Sequence, residues 1–109
     1  VPLVFALDGD VVYTAVDQKP KQTQRLQRLD NLRHEPRCAL LVDHYDDDWS
    51  RLWWVRADGL ADVVDDPRAD HPGFALLAAK YEAYRGDPPR GALLIISVKR
   101  WRGWAASSA

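Results

Sequence analysis

The sequence predicts a mainly β domain, an antiparallel barrel of five or six strands with two helices inserted. Three observations point there. Runs rich in β-branched and aliphatic residues recur at 3–7, 11–16, 38–42, 52–64 and 92–98. The two helical segments fall between strands without the regular βαβ alternation of a parallel sheet. The first two runs are joined by Asp8-Gly9, a strong hairpin signal because the favoured two-residue turns need positive φ.

The opening hairpin is 3–16 (LVFALDGDVVYTAV), with Asp10 beside its turn. A helix is predicted over 20–33. Pro20 suits a first turn, where its missing N–H costs nothing, and Asp17 can cap. Leu26, Leu29 and Leu32 give a narrow apolar stripe, Lys21, Arg25 and Arg28 share another face, and Pro36 stops the helix. Residues 38–42 (CALLV) form a continuous apolar run, read as a buried strand. An acidic loop at 43–49 (DHYDDDW) precedes a strand-like run at 52–64, in which Asp58-Gly59 is a turn or a bulge. After a Pro- and Asp-rich loop at 65–73, Phe74, Leu77, Ala78, Tyr81 and Tyr84 mark a second helix over 74–84. Residues 92–98 (ALLIISV) are a central strand that runs on through Trp101 and Trp104.

The 109 residues suffice for one core, so 1–109 reads as a single domain. A hydrophobic fraction of 47% excludes a disordered chain. A formal net charge of −1 offers no overall basic field for nucleic acid or acidic lipid, so any anion site must be local. One cysteine, Cys38, excludes an internal disulfide and, with three scattered histidines, a cysteine-based zinc site; a reducing cytoplasm fits. No run approaches the ~18 apolar residues of a membrane span. The chain opens on Val1-Pro2, already strand-like and without methionine, which reads as an N-terminally truncated fragment.

Lys19 and Lys21 flank Pro20 at the predicted helix start, where free N–H groups and the helix dipole favour negative charge. Thr23 adds a hydroxyl and Arg25 a further cation, so a phosphate would find donors there. The alternative is a solvated basic face, since Lys-Pro-Lys is a weaker signal than a glycine-rich phosphate loop. The acidic loop fails the calcium-loop template: no glycine sits at its sixth position, and Ala57 stands where the final glutamate belongs. No metal site is assigned. Ser50, Ser97, Ser107 and Ser108 lie in no nucleophile setting, Cys38 reads as a core residue, and no catalytic residue is assigned. Trp53 and Trp54 must point to opposite faces of a strand, one for the core and one for a ligand or partner. Plain core and dimer packing is the alternative for all five tryptophans.

The stretches VFALDGDVVYTAVDQKPKQTQRL, NLRHEPRCALLVDHYDDDWSRLWWVRADGLADV and ISVKRWRGW together resemble the pyridoxamine-5′-phosphate-oxidase-like superfamily of flavin-binding split barrels. The similarity is greatest to its actinobacterial deazaflavin-dependent branch, and the Arg, Ala and Asp content fits a GC-rich genome. The resemblance implies an antiparallel six-stranded split barrel of Greek-key type. It also implies a homodimer with flavin or deazaflavin in a groove between subunits. The hairpin backbone near Val4, Tyr13 and Thr14 would run along the ring system. Lys19, Lys21, Thr23 and Arg25 would hold the cofactor phosphate, and Trp53, Trp101 and Trp104 would come from interface strands. The family's N-terminal helix and first strand are not in this sequence, which fits the truncated-fragment reading and leaves ring or substrate contacts from that region unassigned.

The function implied is an oxidoreductase that uses coenzyme F420 (deazaflavin) or FMN to transfer hydride to a small organic substrate. The deazaflavin is favoured by the resemblance; its long anionic tail would want further cations, for which Arg28 and Arg33 are candidates. The alternative is a binding module that holds flavin, deazaflavin or haem without catalysis. A nucleic-acid binder using Lys21, Arg25 and Arg28 is opposed by the net charge and the clustered aspartates.

Overall fold

In the computed structural model, which describes residues 2–16, 23–89 and 91–107, five antiparallel strands form one sheet in the order β1-β2-β5-β4-β3. The strands are β1 (Ala6–Asp8), β2 (Val11–Ala15), β3 (Arg37–His44), β4 (Trp53–Val64) and β5 (Leu93–Ala105). The helices are α1 (Thr23–His34), α2 (Pro72–Lys80) and α3 (Ala83–Gly86), with one 3₁₀ turn at Trp49–Arg51. The fold is thus mainly β and antiparallel, as expected. The described residues form five strands; the sixth strand and Greek-key order implied by the resemblance lie outside what they show.

Asp8 pairs with Val11, so the two turn residues are Gly9 and Asp10, one position later than the Asp-Gly dipeptide implied. Gly9 takes φ 58°, which a side chain would strain. Asp10 then ties the turn to β5: its carbonyl accepts from Val98 N at 2.7 Å, and its Oδ1 accepts from Trp101 Nε1 at 2.8 Å. β4 is one long strand. Its pairing with β5 shifts at Asp58/Gly59, where Lys99 of β5 is the extra residue, so the dipeptide lies opposite a bulge and is not a turn. A Cβ on Gly59 would lie 2.5 Å from the Ser97 carbonyl oxygen, so only glycine lets the two backbones approach there.

The second helix is shorter than its periodicity predicts. Tyr81 leaves helical geometry (φ −116°, ψ 115°), splitting the segment into α2 and α3. The break has a use, because the Tyr81 hydroxyl accepts from Phe5 N at 3.2 Å and donates to Phe5 O at 3.0 Å. Lys80 Nζ donates to the same carbonyl at 2.7 Å and lies 3.9 Å from the Phe5 ring centroid. The segment before β1 is therefore strapped to the end of α2 instead of extending the strand back to residue 3.

Strand alternation sends each side of the sheet to a different fate. On one side Leu77 of α2 packs on Leu93 and Ala6, with Tyr13, Phe74 and Ile95 around them; Leu77 and Leu93 are fully buried. On the other side Val12, Ala57, Leu94, Ile96 and Val98 are covered in part by Phe5, Leu32 of α1 and Leu40. No helix among the described residues is long and apolar enough to cross a membrane.

Candidate functional site

The second side of the sheet carries an open groove of about 880 Å³. Its floor is the partly covered core, Val12, Ala57, Leu94 and Ile96; its walls include Leu3 and Phe5 from the strapped segment, Leu7 from β1 and Leu32 from α1. At the far end β3, β4 and β5 run past every helix. There Val42 pairs with Val55, His44 with Trp53, and Ala57 with Trp101. These pairings and the two-residue period of a strand put Val42, Trp53, Val55 and Trp101 on the groove side. They remain exposed although apolar: Val42 37%, Val55 37%, Trp53 39% and Trp101 42%. An apolar patch of this extent calls for a ligand or a partner.

The tryptophans divide as alternation requires. Trp53 and Trp101 line the groove, whereas Trp54 and Trp104 pair with each other on the opposite side. The indole of Trp53 stacks on His44, with ring centroids 5.8 Å apart and planes 14° from parallel. Trp101 is held by its bond to Asp10. One flat ring is thus propped by a histidine and the other pinned by a carboxylate, each with a face still open.

The remaining candidates fall in several places. Val4 is exposed, and its carbonyl accepts from Thr14 Oγ1 at 2.7 Å. Thr14 is buried on the groove side, its hydroxyl engaged by that bond. Tyr13 lies on the opposite side, half-buried against α2 and edge-on to His71 at 6.3 Å. Thr23 and Arg25 stand in the first turn of α1. Lys19 and Lys21 lie outside the described residues, as do Pro20 and Asp17. Arg28 is exposed on α1, and Arg33 is paired with Asp30 at 2.6 Å and with Asp65. No group of metal-ligating side chains occurs among the described residues.

Cys38 borders the groove, half-buried. Burial pushes its thiol up, and the negative charge of Asp58 adds to the effect, so it stays protonated and a poor nucleophile. That agrees with a packing role. What the sequence reading missed is the wall itself, above all Val42 and Val55. The signal was present as alternation through 53–57, but CALLV reads as buried on both sides, whereas Leu41 is 65% exposed on the edge strand β3.

A sheet closed by a helix on one side and left open as an apolar, tryptophan-walled groove on the other defines a mainly β domain of split-barrel type. The family model for pyridoxamine 5′-phosphate oxidase matches residues 1–105, and the chain belongs to that family. Among solved structures, the conserved hypothetical protein Rv2991 from Mycobacterium tuberculosis is similar with a TM-score of 0.66 and 20% identity, over 95% of this chain and 66% of that one. A FAD-binding protein (mll6688) from Mesorhizobium loti is similar with a TM-score of 0.59 and 17% identity, over 94% of this chain and 73% of that one. At these identities the likeness is one of fold. The chain spans just under two thirds of the length of the first. No curated protein matches it.

Proposed function

We propose that this protein is an oxidoreductase of the split-barrel family that binds a flavin-type cofactor, F420 or FMN, in the apolar groove between two copies of the chain. The observation that carries the reading is the groove wall of Trp53, Val55 and Trp101, exposed at the far end of the β4–β5 pair beyond the part that α1 and α2 cover. Its fit to a flat tricyclic ring rests on this chain's own features. The volume of about 880 Å³ suits such a ligand, the lining is apolar, and two indole faces are pre-positioned by His44 and Asp10. Family membership and the FAD-binding neighbour lend further support.

When bound, such a cofactor supplies the hydride chemistry itself. The chain's residues bind, orient and exclude water. Trp53 and Trp101 would sandwich or flank the ring, Val42 and Val55 would keep its surroundings dry, and Leu3 and Phe5 would close one side. Lys19, Lys21, Thr23 and Arg25 would anchor the phosphate at the head of α1, with Arg28 available to a longer anionic tail. Two copies meeting on this face would cover the exposed apolar wall, which is the physical case for a homodimer acting in the cytoplasm.

The test is titration of the protein with FMN and with F420, followed by tryptophan fluorescence. Saturable quenching by one of them, lost in Val55→Asp, supports the reading; failure of both to quench would sink it. Reductive turnover with the bound cofactor then separates an enzyme from a binding module.

A further inference from the structure

The far end of the other side of the sheet has a different chemistry. Across β4 and β5, Trp54 faces Trp104, Arg56 faces Arg102 and Asp58 faces Arg100, in consecutive same-side pairs. α2 packs on β1 and β2 and does not reach them. Arg56 holds Asp58 Oδ1 through Nε at 3.1 Å and Nη2 at 2.9 Å. Arg100 and Arg102 form no ion pair among the described residues, although Arg33, Arg37, Arg51 and Arg68 all do. Three guanidinium groups therefore meet two carboxylates, Asp58 on β4 and Asp43 opposite Trp54 on β3, a local positive excess within a chain whose formal net charge is −1.

Like charges directly opposite on neighbouring strands are destabilising, and Arg56 with Arg102 is such a pair. An anion between them would remove the penalty, and guanidinium forks match phosphate and carboxylate oxygens two at a time. Beside them lies a cleft of about 430 Å³ lined by Trp54, Arg56 and Trp104, with Leu41, Asp43 and Trp53 shared with the groove. That is room for one or two fused aromatic rings, with indole faces to stack on, Arg56 in the lining, and Arg102 opposite Arg56 on the neighbouring strand.

We infer that the Arg56, Arg100, Arg102 cluster with Trp54 and Trp104 is a second ligand site, on the opposite side of the sheet from the groove, for a small aromatic molecule carrying a phosphate or carboxylate. A nucleic-acid strand would need a longer basic track than two strand pairs provide. None of these five residues is assigned to the groove, although the cleft beside them shares Leu41, Asp43 and Trp53 with it, so the groove variant Val55→Asp is the control that separates the two sites.

The experiment titrates the full chain with 1-naphthyl phosphate, 1-naphthoate and uncharged 1-naphthol, reading tryptophan fluorescence at low salt. Arg102→Gln should weaken binding of the stronger anion about tenfold or more, leave naphthol unaffected, and leave the melting temperature unchanged or raised, because a like-charge pair is removed. Arg100→Gln should act in the same direction. Comparing the two anions assigns the site to phosphate or to carboxylate, and inorganic phosphate should compete if it is the former. Val55→Asp, which spoils the groove, should leave anion binding intact. The inference is overturned if Arg102→Gln changes affinity less than twofold, if naphthol binds as tightly as the anions, if Val55→Asp abolishes binding, or if a single-stranded oligonucleotide binds while the small anions do not.

Discussion

β5 crosses two regions of the molecule that were built to different ends. Its first half, from Leu93 to Val98, is almost wholly buried between α2 and the core beneath the groove; its second half, from Lys99 to Ala105, is exposed at every residue. The hydrogen-bonded ladder with β4 runs through both. The backbone is therefore equally satisfied along the strand, and what changes is only whether side chains are covered by this chain. The first half holds the fold together. The second half leaves tryptophans on both faces for something else to cover.

The sharpest way to break this contrast is to remove a side chain from each region. Leu77→Ala, at a fully buried position in the α2 core, is expected to cost about 2–5 kcal/mol. Trp53→Ala, at a site already 39% exposed, should cost the isolated chain about 1 kcal/mol or less while abolishing cofactor quenching. Urea denaturation at low protein concentration measures the first quantity and titration the second. If Trp53→Ala destabilises as much as Leu77→Ala, the far end is part of the folding core and the contrast fails. A cost that grows with protein concentration would instead report the second copy.

The junction between the regions is the bulge. Gly59→Ala would drive a methyl group to 2.5 Å from the Ser97 carbonyl, and the strands would have to separate at the point where one region becomes the other. A loss of about 1–3 kcal/mol is expected, with amide-exchange protection falling on both sides of residue 59. Retained stability would mean that β4 and β5 can slide there, and the two regions would not be rigidly joined.

Tyr81→Phe probes the strap that lets the buried region shape the groove. It removes the hydroxyl between Phe5 N and Phe5 O, at an expected cost of about 1 kcal/mol, because Lys80 still bonds the carbonyl. The sharper readout is groove affinity, which should fall as Leu3 and Phe5 loosen. Unchanged affinity would show that the strap serves stability alone.

The buried region was legible from sequence and the exposed one was not, for a physical reason. Leu77, Leu93, Val12 and Ile96 sit in patterns whose period matches their structure, so burial by the chain itself is readable. At the far end the pattern is just as apolar, yet no other described part of the chain covers it, so CALLV reads as a buried strand when it forms an exposed edge. Trp53 and Trp54 were separable by alternation. Trp101 and Trp104 were not assigned to faces, and the three-residue spacing along β5 puts them on opposite sides. The break at Tyr81 left no periodic trace, because a bond to Phe5, distant in sequence, decides it. The expected start of the first helix at residue 20 lies outside the described residues, within which α1 runs from Thr23 to His34.

The smallest expected effect separates electrostatics from packing at the entry to β3. Arg37 donates to Glu35 through Nε at 2.7 Å and Nη2 at 3.0 Å, and its N–H bonds the same carboxylate. These bonds lower the Glu35 carboxyl to about 2 from an ordinary 4.5. A depressed carboxyl stabilises the fold above its unfolded pKa and loses that contribution as pH falls through the folded value, so the window is pH 4.5 down to 2. Both side chains are solvent-exposed, so the effect is small and further reduced by salt. Glu35→Gln should flatten the fall in melting temperature within that window and leave the value at pH 7 nearly unchanged. A large loss at pH 7 would mean that this pair anchors the edge strand of the exposed region, which the contrast along β5 assigns to no structural role.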